Sequence, residues 1–337
     1  MIGADINDIV FPCRVFEVNA DGRLWEVPGK HTPDGPFGAP PAPQAGPVYD
    51  DASTGGSEGL AHKEGDYRGT ERAPGPERLR LRELSASLDP ETRRHILALG
   101  LAPGWRCLEV GAAEGSMSAW LSAQVGETGH VVAADLDLRF LADLDLPNLE
   151  VRGLDIRHDE VEHAAFDLAY CRTLLLHLPD PAAALRKLAN ALRPDGWLLV
   201  EEPDMCVFAA ADPDHPRAEF FERFHRDIYQ HFRAVKRMDT RFARTLPALF
   251  TKLGLKELRC HANARWLRGA SPETRSPLRS LTMLSPPLLE AAVVTQAEID
   301  EVLSLYENPD FGILSGLQVV VCGRKPGGAA RGEDVRR

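Results

Sequence analysis

The stretch RCLEVGAAEGSMSAW, residues 106–120, decides the fold. Cys107, Leu108 and Val110 form a short apolar run carrying an acid, Glu109, and the run breaks into Gly111-Ala112-Ala113-Glu114-Gly115. Directly afterwards, from Ser116 on, Met117, Trp120 and Leu121 recur at helical spacing. That order predicts a buried strand, a tight turn of small residues and a helix, a local form in which exposed backbone N–H groups can receive a ligand. Twenty residues past Gly115, a second apolar run, VVAAD, ends in Asp135 and is followed by Leu136. An acid at the tip of the second strand of a βαβ unit is placed to hold ribose hydroxyls. The two signals together predict a cofactor that contains a nucleoside.

Composition narrows the class. The 337 residues leave room for one large or two ordinary domains. Fifty acidic against 39 basic side chains give a formal charge of −11, which disfavours a nucleic-acid partner. The six cysteines show no C-x-x-C pair, and Cys107, Cys171 and Cys322 fall in predicted core strands, so a reduced, cytoplasmic setting is expected. The first ten residues, MIGADINDIV, do not read as an export signal, and no uncharged apolar run approaches the ~18 residues that span a bilayer. No membrane association is expected. A metal site is not expected either: His225 and His231 are six apart on one predicted helix, whereas ligands on one face prefer three or four.

Outward from the central stretch, the chain divides into three parts. Residues 1–60 read as an extension: a hairpin, with Val15, Phe16 and Val18 before the turn Asn19-Ala20-Asp21-Gly22 and Leu24, Trp25 and Val27 after it, then a Pro/Gly-rich arm. In that arm eleven of the twenty residues 28–47 are Pro or Gly. Residues 61–326 read as the main domain and 327–337 as a frayed polar tail. In the main domain, Leu81, Leu84 and Leu88 share a helix face, and Asp89-Pro90 is expected to cap and open a second helix that ends at Gly100. Strands are expected at 106–110, 130–135, 149–154, 166–171 and 197–202, alternating with helices at 116–125, 138–144 and 181–193. This alternation predicts a parallel sheet covered on both faces, with its ligand at the carboxyl ends of the strands. Further on come an aromatic amphipathic helix at 216–236, a helix containing Leu246 and Phe250, a strand near 256–267, and a helical pair at 286–306 that includes the capping box Thr295-x-x-Glu298. The last expected strand is 316–323.

With these residues placed, the chain resembles the class I S-adenosylmethionine-dependent methyltransferases over about residues 75–325. LEVGAAEG is similar to the family's glycine-rich first motif, VVAADLD to the second, and GLDI to the segment that holds the adenine. FDLAYCRTLLLHLPDP matches the fourth strand and its loop, and ALRPDGWLLVEEPD the turn and fifth strand. The resemblance implies an α/β fold, a doubly wound, seven-stranded, mostly parallel Rossmann-like sheet whose last strand is antiparallel. It also implies helical lid insertions, here about 205–240 and 271–306, and S-adenosyl-L-methionine as cofactor. Two departures stand out: the middle glycine is Ala113, which fits best if its φ stays negative, and the next residue is the acid Glu114.

The resemblance also assigns roles. Gly111, Ala113, Gly115 and Ser116 would line the cofactor, Glu109 would face its methionine end, Asp135 with Leu136 its ribose, and Asp155 with Ile156 its adenine; Arg172 is assigned to the same cleft. His177, just past the fourth strand, is the candidate general base and acceptor contact, because an O or N acceptor often sheds a proton on methylation. Glu202, Phe224 and His225 are the other acceptor-side candidates. The expected reaction is methyl transfer to an O or N atom of a small, natural-product-like molecule of specialised metabolism, such as an antibiotic precursor, by a protein compatible with a homodimer. The alternatives are a peptide or protein acceptor, or a methyltransferase-like fold that binds the cofactor without methyl transfer, for instance as a cyclase. A nicotinamide dehydrogenase fits less well, since its glycines are spaced G-x-G-x-x-G and its fingerprint has no acid at the place of Glu109.

Overall fold

The computed structural model describes residues 16–18, 24–26 and 74–327. The chain divides into two compact units, Met1–Ala61 and His62–Arg337. In the first, β1 (Phe16–Val18) and β2 (Leu24–Glu26) pair antiparallel with Phe16 opposite Glu26, as the hairpin reading expects. The turn between them, the Pro/Gly-rich arm and the residues after 327 lie outside the described residues.

The second unit begins with a long helix, α1 (Pro74–Ala98), and then alternates: β3 (Arg106–Val110), α2 (Ser116–Val125), β4 (His130–Asp135), β5 (Leu149–Gly153), β6 (Phe166–Arg172), α3 (Pro181–Ala191) and β7 (Leu192–Asp204). After these come β8 (Ala209–Ala210), α4 (Ala218–Ala234), α5 (Leu246–Lys252), β9 (Lys256–Asn263) and β10 (Trp266–Arg268). The unit closes with α6 (Arg275–Glu290), α7 (Gln296–Glu307), β11 (Gly312–Leu314) and β12 (Leu317–Arg324). Seven strands form one sheet in the order β5-β4-β3-β6-β7-β12-β9, and β12 runs antiparallel to both its neighbours. This is the doubly wound, mostly parallel sheet the alternation predicts.

Both faces of that sheet are covered, which explains why its strands read as near-continuous apolar runs. On one face Leu108, Val110, Val132 and Val200 pack against Leu185 and Leu188 of α3 and Phe250 of α5. On the other, Cys107, Val131, Tyr170 and Leu199 meet Ile96 of α1 and Met117 and Leu121 of α2. A separate apolar cluster joins Phe221, Phe224, Ile228 and Phe232 of α4 to Leu281 and Leu288 of α6 and Val302 and Tyr306 of α7. The capping box at Thr295 and Glu298 opens α7 with both of its reciprocal bonds formed.

Four elements differ from the sequence reading. First, α1 runs unbroken through Pro90. Asp89 does not cap a new helix; its carboxylate takes a guanidinium bond from Arg172 (2.8 Å) and another from Arg93 (3.3 Å). Second, only the 3-10 turn Leu138–Phe140 forms within 138–144. Third, α6 starts at Arg275, well before the expected 286, and carries Pro286 and Pro287 inside it. An interior proline costs about 3 kcal/mol, but each buried leucine returns about 1.5–3 kcal/mol, and Leu281 and Leu288 of this helix are both buried. Fourth, the 256–267 segment does not make one strand. The large sheet keeps β9, and β10 joins β11 and β8 in a small antiparallel sheet that periodicity did not signal.

Candidate active site

The turn after β3 is built by backbone geometry. Gly111 and Gly115 both have φ 78°, the left-handed region where glycine pays no Cβ penalty. A side chain at Gly115 would also stand 2.2 Å from the Leu144 side chain. The N–H groups of Gly111 and Ala112 both donate to the Ala134 carbonyl (2.8 and 3.1 Å), tying the turn to the end of β4. Ala113 departs from expectation: its φ is +53°, not negative. That conformation costs an L-residue about 1–2 kcal/mol, and the bond from Ala113 N–H to Asp135 Oδ2 (2.8 Å) holds it in place. Glu114 turns towards α1, where it sits 3.8 Å from Arg82 and bonds Ser85, and it also bonds Ser116 at the start of α2. Its charge is therefore directed at the helix above the turn, although burial still pushes its carboxyl above the usual range.

Three acids expected to hold the cofactor sit in different settings. Asp135, at the end of β4 with the partly exposed Leu136 beside it, accepts N–H bonds from Ala113 at Oδ2 and from Asp137 at Oδ1 (2.9 Å). A third backbone bond comes from Leu136, and because a carboxylate offers about four acceptor sites, room remains for a ligand hydroxyl. Burial raises Asp135 to about 6, and donors arriving at those sites would favour its anion. Glu109 is buried between β3 and α2, takes a hydroxyl bond from Ser118, and is pushed by burial to about 8. A cationic group near it would draw out the carboxylate. These two acids, with the glycine turn between them, fit a cofactor that carries a sulfonium and a ribose. Asp155 is less available. Its carboxylate accepts Arg157 Nε (2.8 Å), Nη2 (2.7 Å) and the Arg157 backbone N–H (3.0 Å), which hold it below the usual range, and Ile156 is buried in the sheet core.

Arg172 and Glu202 work on the scaffold. Arg172, at the end of β6, donates to Asp89 Oδ1 and Thr92 Oγ1, both at 2.8 Å, and so fastens α1 over the carboxyl edge of the sheet. Thr92 in turn donates to Glu201 Oε2 at 2.8 Å. Glu202 is fully buried, and its carboxylate accepts the N–H groups of Leu174 (3.0 Å), Leu175 (2.7 Å) and Leu176 (3.4 Å). The expected contact of Glu202 with an acceptor meets this different placement: the carboxylate fixes the turn that carries His177. Leu174 of the same turn stands 3.5 Å from where a methyl group on Gly111 would be, which joins this turn to the glycine loop.

Beyond the turn lies a cavity of about 280 Å³. Thr173, Leu176 and His177 form one end, and its walls come from Leu84 and Leu88 of α1, Phe208, Ile228 and Tyr229 near or on α4, Leu281 and Leu288 of α6, and Tyr306 of α7. Thr173 has φ 52°, an unusual conformation for a β-branched residue, at the junction of loop and cavity. His225 does reach the cavity. Its Nδ1–H donates to the Phe221 carbonyl (2.8 Å) and its Nε2 accepts the Tyr306 hydroxyl (2.9 Å), while burial lowers it to about 4. It is thus a neutral, fixed wall residue stacked 4.6 Å from Phe208. Phe224 does not line the cavity; it is buried in the lid cluster. Sequence reading missed Tyr229, Tyr306, Arg265 and Gln318, which also line the cavity. Among them only the helical spacing around Tyr229 carried a signal.

Among the described residues, no cluster of three or more His, Cys, Asp or Glu is arranged for a metal ion, and no helix is long and apolar enough to cross a membrane. The family model described as a methyltransferase domain matches residues 76–259, more than half of the chain. Over 109 residues the chain is 36% identical to a ubiquinone biosynthesis O-methyltransferase of Paracidovorax citrulli, covering 29% of this chain and 44% of that one. Over 120 residues it is 32% identical to the tRNA (adenine(58)-N(1))-methyltransferase TrmI of Thermus thermophilus, covering 33% of this chain and 44% of that one. The chain thus spans less than half the length of these curated relatives. A solved structure of Haemonchus contortus phosphoethanolamine N-methyltransferase 2 with S-adenosyl-L-methionine aligns over 67% of this chain and 49% of that one, at 14% identity and a TM-score of 0.41. With the matched segment carrying the glycine turn, Asp135 and the β6 loop, the chain belongs to the methyltransferase-domain family, the class I S-adenosylmethionine-dependent methyltransferases, whose cofactor is S-adenosyl-L-methionine.

Proposed function

We propose that this protein transfers a methyl group to an oxygen or nitrogen atom of a small molecule of specialised metabolism. The observation that carries the reading is the cavity of about 280 Å³ that begins at Thr173 and His177 and is closed by α1, α4, α6 and α7. A chamber of that size, just below the ~300–1,000 Å³ typical of ligand pockets, suits a compact, partly apolar acceptor rather than a polymer. Its reduced thiols, buried at Cys107, Cys171 and Cys322, suit a cytoplasmic setting.

When bound, S-adenosyl-L-methionine supplies an electrophilic methyl group for in-line displacement. The residues of the chain bind, align and dry the reacting pair, a task worth up to about 7–11 kcal/mol. Asp135 and Glu109 hold the cofactor side through its hydroxyls and its positive end. Glu202 acts through the turn: with three N–H bonds it keeps His177 at the end of the acceptor cavity. There the His177 imidazole accepts the proton that the acceptor heteroatom releases.

Incubating the full-length protein with labelled S-adenosyl-L-methionine and a panel of phenolic and amine acceptors tests the reading, with mass spectrometry of the products. A small acceptor gaining one methyl group is the expected result, and His177→Ala should lower kcat by about 10²–10⁴ with loss of the acid limb of the pH profile. Methyl transfer confined to a peptide or an RNA would replace the small-molecule reading.

A further inference from the structure

Two residues of the acceptor cavity carry N–H donors that no described residue takes up. Gln318, on β12, lines the cavity, and its Nε2 is buried with no hydrogen bond. Leaving such a donor unsatisfied costs folding free energy that a ligand acceptor would restore. The second is Arg265, between β9 and β10. Its Nη1 donates to the Ser87 carbonyl (2.9 Å) and to Ser87 Oγ (2.5 Å) on α1. Among the described residues its Nε and Nη2 make no hydrogen bond, and no carboxylate stands within 4.0 Å of the guanidinium. Glu273, an exposed residue at the same cavity, acts on it only through space.

Both donors line the same cavity. Gln318 faces Asn263 across the β12–β9 ladder, and Arg265 lies two residues past Asn263, in the link from β9 to β10. The backbone of Arg265 is fixed there by two bonds with Ser315, its N–H to Ser315 Oγ and its carbonyl to Ser315 N–H, each 2.9 Å.

A half-buried guanidinium without a close counter-charge is costly to maintain, and burial does hold Arg265 below the usual arginine range. Its free edge is a planar fork matched to a carboxylate. Gln318 adds a further N–H donor to the same cavity. The remaining walls, Leu84, Leu88, Phe208, Ile228 and Leu281, call for an apolar body between that fork and His177. We propose that Arg265 and Gln318 form a carboxylate subsite, and that the methyl acceptor is an apolar, ring-sized monocarboxylate whose reacting O or N atom lies at the Thr173–His177 end. This rests on the reading of the cavity as the acceptor chamber. A single guanidinium with Glu273 nearby suits a monoanion and disfavours a phosphate dianion.

The test is calorimetric titration of the full-length protein, saturated with S-adenosyl-L-homocysteine, with three matched probes: 2-naphthoate, 2-naphthamide and 2-naphthyl phosphate. The carboxylate should bind about tenfold or more tighter than the amide and tighter than the phosphate. Arg265→Gln should abolish that preference while leaving amide affinity within about twofold, and Arg265→Lys should restore part of it. Gln318→Leu, which keeps the shape and removes the donors, should weaken carboxylate binding several-fold. Unchanged S-adenosyl-L-homocysteine affinity in each variant serves as the folding control. Equal affinity for carboxylate and amide, tighter binding of the phosphate, no carboxylate binding at millimolar concentration, or a preference that survives Arg265→Gln overturns the subsite. Methyl transfer to neutral phenols with no carboxylate preference sinks the subsite alone. A carboxylate preference without transfer to any hydroxylated or aminated carboxylate sinks the proposed function and leaves the subsite standing.

Discussion

The proposed cofactor side and the proposed acceptor side of this molecule are built in contrasting ways. The turn at 111–115 and Asp135 belong to one βαβ unit, joined by N–H bonds to Ala134 and Asp135 over a short run of chain. The cavity gathers side chains from α1 to β12: His225 meets Tyr306 across 81 residues, and Arg265 meets Ser87 across 178. One half is local and backbone-made; the other is long-range and made of side chains. Local construction leaves a mark in a single sequence, and long-range packing does not.

The largest effect should come from breaking the apolar cluster of α4, α6 and α7 alone. Phe224→Ala removes a fully buried ring from the cluster of α4, α6 and α7 and should cost about 3–5 kcal/mol in denaturant unfolding. If the two halves are separable, cofactor affinity at a temperature where the variant is folded stays within about twofold of wild type. A matching loss of cofactor affinity would contradict the division.

On the cofactor side the corresponding experiment is titration. Burial raises Glu109 to about 8 in the ligand-free fold, against the pull of the Ser118 hydroxyl and the Arg172 guanidinium; in an unfolded chain the value is about 4.3. Between those values the folded state holds the extra proton, so this group's contribution to stability falls as pH rises through about 4.5–8 and is constant above. Each tenfold difference in proton affinity is worth about 1.4 kcal/mol. Glu109→Gln should therefore gain on the wild type in unfolding midpoint as pH goes from 5 to 8. Comparing the two proteins cancels the opposite slope of His225, which is lowered to about 4. A constant offset between the two curves would show that Glu109 is ionised in the ligand-free fold.

The legible part of the site follows the same boundary. Periodicity and glycine spacing were enough for β3 to β7, the turn and Asp135, because each signal sits inside a few consecutive residues. Asp89-Pro90 reads locally as a helix start, yet Asp89 answers to Arg172 on another element, and the helix continues. Glu202 ends a strand on the ligand side, but its oxygens go to the N–H groups of Leu174, Leu175 and Leu176, a partnership set by how the β6 loop folds back. Phe224 and His225 are adjacent on one helix, and only packing decides that the histidine reaches the cavity and the phenylalanine does not. Arg265 and Gln318 became visible only once folding placed both in the cavity wall.

A smaller effect sharpens the backbone claim. Ala113 holds φ +53°, so Ala113→Gly should stabilise the fold by about 1 kcal/mol, the relief of left-handed strain less the added freedom of the unfolded chain. The gain reads directly as a raised unfolding midpoint. Destabilisation would mean that the methyl group makes contacts worth more than the strain.

The most direct test of the whole account is calorimetric titration of S-adenosyl-L-methionine into the wild-type protein and into Asp135→Ala. One site per chain is expected in the wild type, with at least about tenfold weaker binding once the carboxylate at the end of β4 is gone. No binding to the wild type, or an unaltered dissociation constant in the variant, would contradict it.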